Sequence, residues 1–130
     1  MDDLYHENIL DHAQEPRRFG RLSTPSHVGQ AKNVSCGDSL SVDLQVDEHG
    51  VIQDIAWEGD GCAISLAAAS LLAERAQGKQ LSELQGVSFA ELLEALGLDS
   101  LSPARIKCAT LFLNALQNLQ LRVEKEKLRV

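Results

Sequence analysis

From Leu40 onward apolar and polar residues alternate without a break, with Leu40, Val42, Leu44 and Val46 on one side and Ser41, Asp43, Gln45 and Asp47 on the other. A period of two is that of a strand with one buried and one wet face, and it excludes a helix, whose apolar positions recur every three or four residues. Asp47-Glu48-His49-Gly50 reads as a tight turn and Val51 to Trp57 as the returning strand. A shorter strand is predicted ahead of Cys36, around Gly29 to Val34. Three strands joined in sequence make an antiparallel meander. The turns after its first and third strands then emerge at the same end of the sheet.

Helical patterns flank this meander. Asp2 or Asp3 can cap a first helix with Leu4, Tyr5, Ile9, Leu10 and Ala13 on or near one face, ended by Pro16 and Arg17-Arg18. His6 and His12 fall on it and read as surface or packing histidines, as His49 reads as an exposed residue at its hairpin tip. After Trp57, Gly59 and Gly61 are expected to let the backbone turn sharply into a helix from Ala63 to about Gln77, apolar almost all round. Ser82 and Ser88 can each start a short helix, the second with a Ser88/Glu91 capping box and Gly97 as its stop. Ser102-Pro103 opens a last helix predicted to run towards Glu126. The order of helix, three strands and then helices predicts a single α+β domain over residues 1–130, with helices packed on one face of a small three-stranded antiparallel sheet.

A net charge of −7 argues against nucleic acid, which rewards a basic stripe. No apolar run approaches membrane-spanning length and the N-terminus is not a signal sequence, so a cytoplasmic protein is expected. Three cysteines, an odd number, are a poor basis for a disulfide framework and leave buried thiols, a reactive thiol or metal ligands.

Each thiol has an ordinary explanation. Cys108, on an apolar helix, can be simple packing. Cys62, at or just before a helix N-terminus, is placed where backbone N–H groups favour a thiolate. Cys36 is followed by Gly37 and Asp38, so that thiol and carboxylate can face one cation. There is no CxxC pair, P-loop or nucleophile elbow. The meander brings the turns of Cys36 and Cys62 to one end, where a packed helix can present Cys108. Three thiolates and Asp38 form a donor set suited to zinc or to iron in a cluster. A structural zinc domain and a metal-free redox thiol protein remain alternatives.

The motifs Asn33-Val34-Ser35-Cys36-Gly37-Asp38, Gly59-Asp60-Gly61-Cys62-Ala63-Ile64-Ser65 and Arg105-Ile106-Lys107-Cys108-Ala109-Thr110-Leu111, in this order, resemble those of the U-type iron–sulfur assembly family. That family comprises IscU, SufU and the N-terminal domain of NifU. The second and third motifs look most like SufU, since Lys107 stands where IscU proteins carry histidine; the short spacing from Cys62 to Cys108 is closer to IscU. The resemblance implies a non-enzymatic scaffold holding a transient [2Fe–2S] cluster on Cys36, Asp38, Cys62 and Cys108. It also admits a zinc-dependent sulfur acceptor in which Cys36 takes persulfide sulfur and Arg105 helps exchange a ligand. The partners it implies are a cysteine desulfurase and downstream cluster acceptors, with the chain a monomer or weak homo-oligomer.

Overall fold

The computed structural model describes residues 2–34 and 37–121, and the side chains from residue 7 onward. Helix α1 (Asp2–Gln14) precedes a meander of β1 (His27–Asn33), β2 (Asp38–Val46) and β3 (Ile52–Asp60). Helices α2 (Ala63–Glu74), α3 (Leu81–Gln85), α4 (Phe89–Leu96), α5 (Pro103–Ala109) and α6 (Leu111–Gln117) follow, and a two-residue strand β4 (Gln120–Leu121) closes the described chain. The sheet is antiparallel in the order β3-β2-β1-β4. It therefore has four strands, one more than the pattern predicts. A two-residue strand is too short for periodicity to reveal, and it forms because Gln120 and Leu121 meet the open edge of β1 opposite Val28 and His27.

Leu40, Val42 and Leu44 of β2, with Ile55 and Trp57 of β3, face a helical layer of α2 and α6, and all are buried. Trp57 stacks edge-on against both Phe112 and Phe19, and its indole N–H donates to the Arg17 carbonyl. With so few aromatic residues, this one ring joins the sheet, α6 and the segment after α1. The opposite face of β2 is not uniformly wet as the alternation implies. Asp43 is 1% exposed, because residues 17–22 run along the sheet edge and cover it. Arg21 donates to both of its oxygens at 2.8 and 3.2 Å, and the Leu22 N–H donates at 3.0 Å. A buried carboxylate is tolerated only when its lone pairs are satisfied in this way.

The helices depart from expectation in three places. Helix α2 stops at Glu74 instead of about Gln77, with its last turn closed by the Arg75 N–H on the Ala73 carbonyl. Helix α3 is capped by Gln80, with Glu83 completing the capping box, so Ser82 lies inside it. The predicted last helix is broken at Thr110 into α5 and α6. The Thr110 hydroxyl donates to the Ile106 carbonyl at 2.9 Å, an acceptor it shares with the Thr110 N–H at 3.0 Å, and such back-bonding favours a bend. Residues 122–126 of the predicted helix lie outside the described residues. The Ser88/Glu91 capping box and the left-handed Gly97 stop are as predicted.

Of the histidines, His12 is buried and packs through Nδ1 onto the Ser70 hydroxyl of α2 at 2.7 Å, which ties α1 to the core. His49 is exposed in its turn, and the His6 side chain lies outside the described residues.

Candidate metal centre

Asp38 opens β2, paired with Asn33 across a hairpin turn in which the Gly37 N–H donates to the Asn33 carbonyl. Cys36, between Asn33 and Asp38 in sequence, lies outside the described residues. On the neighbouring strand, Asp60 pairs with Ser39 as β3 ends, and the chain passes through Gly61 to Cys62, the N-cap of α2. Both connections leave the same end of the sheet, as a sequential meander requires. Helix α5 packs against α2 and brings Cys108 to that end.

The result is a cluster of three donors. One ligand atom each from Asp38, Cys62 and Cys108 lies within 4.8 Å of the others. Donors about 2.0–2.3 Å from one Zn²⁺ in a tetrahedral site stand about 3.3–3.8 Å apart, so the most widely spaced pair must draw in by up to about 1 Å to share an ion. Asp38 is 7% and Cys108 8% exposed, whereas Cys62 is exposed. The centre is thus buried on two sides and open on the Cys62 side. Two thiols and a carboxylate are a donor set that fits zinc or iron, with an opening for a fourth donor or an incoming group.

The two glycines before Cys62 act through their size. Neither has a positive φ, so the expected sharp turn is not the reason for them. A Cβ at Gly59 would stand 2.2 Å from the Ser39 carbonyl oxygen, and one at Gly61 would stand 3.0 Å from the Asp38 carboxylate. The strand packs tightly over the start of β2, and this holds Asp38 beside the helix N-terminus.

One residue of the site escaped the reading of the sequence. Ser65, fully buried in the first turn of α2, donates from Oγ to Asp38 Oδ2 at 2.6 Å. The Cys62 N–H reaches the same oxygen at 3.4 Å, and Cys62 Sγ lies 3.7 Å from Ser65 Oγ. The available signal was the three-residue spacing from Cys62 to Ser65, which puts both on one side of a helical turn. Arg105 stands one turn before Cys108 on α5; its side chain is exposed, and it forms no ion pair among the described residues.

The comparisons with known proteins agree with this layout. The model of the NifU-like N-terminal domain matches residues 4–126. The chain is 32% identical over 133 residues to the zinc-dependent sulfurtransferase SufU of Bacillus subtilis, covering 90% of this chain and 89% of that one. It is 34% identical over 117 residues to the iron–sulfur cluster assembly scaffold protein IscU of Aquifex aeolicus, covering 89% and 73%. It is also 36% identical over 116 residues to a bifunctional NifU/MnmA protein of Rubrobacter xylanophilus, of which it spans only 24%. Among solved structures it is similar to an iron–sulfur cluster assembly scaffold protein for the SUF system from Fervidobacterium islandicum, with a TM-score of 0.72, 26% identity and coverage of 85% and 92%. A match over almost the whole chain, together with an Asp-Cys-Cys cluster at the end of the meander, places this chain in the NifU-like N-terminal domain family.

Proposed function

We propose that this chain is an iron–sulfur cluster assembly protein. Cys36, Asp38, Cys62 and Cys108 receive iron and sulfur, hold a transient [2Fe–2S] cluster, and pass it to an acceptor protein. The observation that carries this reading is the convergence of Asp38, Cys62 and Cys108 ligand atoms within 4.8 Å, from three separate elements. Likeness to proteins named as assembly scaffolds supports the same job. The sulfur comes from a cysteine desulfurase in a cytoplasmic setting. No helix among the described residues is long and apolar enough to cross a membrane.

A second reading rests on the similarity to a zinc-dependent sulfurtransferase and on the exposure of Cys62. Here the same four residues hold zinc, and one thiolate, with Cys36 as candidate, attacks the terminal sulfur of a desulfurase persulfide. A new S–S bond forms, the desulfurase cysteine leaves as thiolate, and no oxidant is consumed. Arg105, exposed one turn before Cys108, is free to reach a partner's surface and assist the ligand exchange.

Anaerobic reconstitution with Fe²⁺ and sulfide in competition with Zn²⁺ separates the two. A cluster absorption spectrum that persists against zinc is expected for the scaffold, whereas zinc that iron cannot displace, with stimulation of a desulfurase, supports the acceptor. Binding of neither metal would overturn both.

A further inference from the structure

Strand β4 covers only the start of the outer edge of β1, pairing with His27 and Val28. Further along, the Gln30 carbonyl still points outward, where the Asn118 side chain donates to it at 2.9 Å. Alternate residues of an antiparallel strand turn their backbone groups to the same side, so the Lys32 N–H and C=O face outward as well. No strand among the described residues pairs with Lys32 on that side. An open edge of this kind is a template for a further strand.

The edge borders a cleft of about 280 Å³, lined by Lys32 and Val34 at the end of β1 and by Lys107, Thr110 and Asn114 along α5 and α6. Both lysines are exposed, neither is in an ion pair among the described residues, and no described carboxylate lines the cleft. In a chain of net charge −7 this is a local patch of the opposite sign. Val34, 93% exposed, adds an uncovered apolar side chain. Two copies joined at this edge would bring their lysines together, whereas carboxylates would be drawn in.

We propose that the open part of the β1 edge takes up an extended acidic segment of a partner protein by strand addition. The segment's main chain bonds to the outward N–H and C=O of Lys32. Its carboxylates meet the Lys32 and Lys107 ammonium groups, and an apolar side chain covers Val34. Because Lys107 directly precedes Cys108, a partner gripped here is held beside the metal centre, whichever ion that centre carries.

The probe is an acetylated and amidated hexapeptide, Glu-Val-Glu-Glu-Val-Glu, titrated at low salt into the isotope-labelled full-length protein and followed by NMR. Saturable shifts of the Lys32, Val34 and Asn114 amides are expected, with slowed hydrogen exchange at the Lys32 N–H. Binding is expected to weaken about tenfold in the Lys32→Glu/Lys107→Glu variant, and likewise for a peptide carrying Gln in place of Glu. Thermal unfolding checks that the variant is folded; if it is not, the Gln peptide decides the role of charge. Absence of binding would overturn the proposal, as would binding indifferent to these charges. Shifts without protection of the Lys32 N–H would overturn strand addition. A dimer of the protein alone in sedimentation equilibrium, with the Lys32 N–H already protected, would assign the edge to a second copy and overturn the acidic partner.

Discussion

Gly61 lies directly against Asp38: a Cβ at position 61 would stand 3.0 Å from the carboxylate carbon and 3.0 Å from Oδ2. The backbone there is compatible with any residue, so the constraint is contact alone. Gly61→Ala is expected to lower stability by about 1–3 kcal/mol, the usual cost of forcing extra volume into a packed site. Urea unfolding measures it. An unchanged midpoint would show that the loop yields without cost.

Cys62 and Cys108 separate binding from packing. Cys62 is exposed, so Cys62→Ala should abolish zinc and iron binding while leaving the unfolding midpoint of the metal-free protein within about 0.5 kcal/mol. Cys108 is 8% exposed within the core cluster, so Cys108→Ala should lose the metal and also cost about 1 kcal/mol or more of metal-free stability. Metal stoichiometry by elemental analysis and paired denaturant curves check both. Full metal binding by Cys62→Ala would remove it from the ligand set.

His12 makes stability depend on pH. Burial holds its pKa below the ordinary value, and Arg17 nearby pushes the same way, against the raising influence of Glu74 and Asp11. The native state therefore keeps His12 neutral at a pH where the unfolded chain binds a proton. Stability contributed by this site is complete above about pH 6.5 and is lost as pH falls below it. His12→Asn should flatten part of the slope of unfolding free energy below about pH 6.5. Half-buried His27 is shifted the same way by its partial burial and retains its own share. An unaltered slope would show that His12 is not responsible.

Asp43 and Arg21 form an unequal pair. Arg21 is half exposed, while Asp43 is 1% exposed. Arg21→Ala leaves a buried carboxylate with only the Leu22 N–H among the contacts described above, so it should cost about 2–4 kcal/mol, well above the 0–1 typical of surface ion pairs. Asp43→Asn, which keeps the shape and an acceptor, should cost less. Equal, small losses in chemical denaturation would show that water reaches Asp43.

Local pattern was enough for most of the elements. The alternation from Leu40 to Val46 marked β2, the turn residues around Gly50 marked the hairpin, and Ser88 and Gly97 bounded α4. What escaped was non-local. Asp43 looked solvent-facing because nothing near it in sequence announces that residues 17–22 fold over it. The break at Thr110 falls where α5 and α6 turn to pack against different elements, which no short-range pattern announces.

The centre divides in the same way. Sequence alone marked Cys36 with Asp38, and Cys62, because thiols beside glycines and a helix start carry a chemical signature at short range; Cys108 by itself read as packing, and a role for Arg105 came only from the family resemblance. Meander order also implied that two of the turns share one end of the sheet, since antiparallel neighbours reverse direction at each connection. Only the tertiary structure decided that α5 delivers the Cys108 thiol to within 4.8 Å of the other donors. It also decided that Ser65 is bonded to Asp38 and that Gly61 is there for lack of room. These are contacts between residues far apart in the chain, and they exist only once burial of the apolar faces of β2, α2 and α6 has brought the elements together.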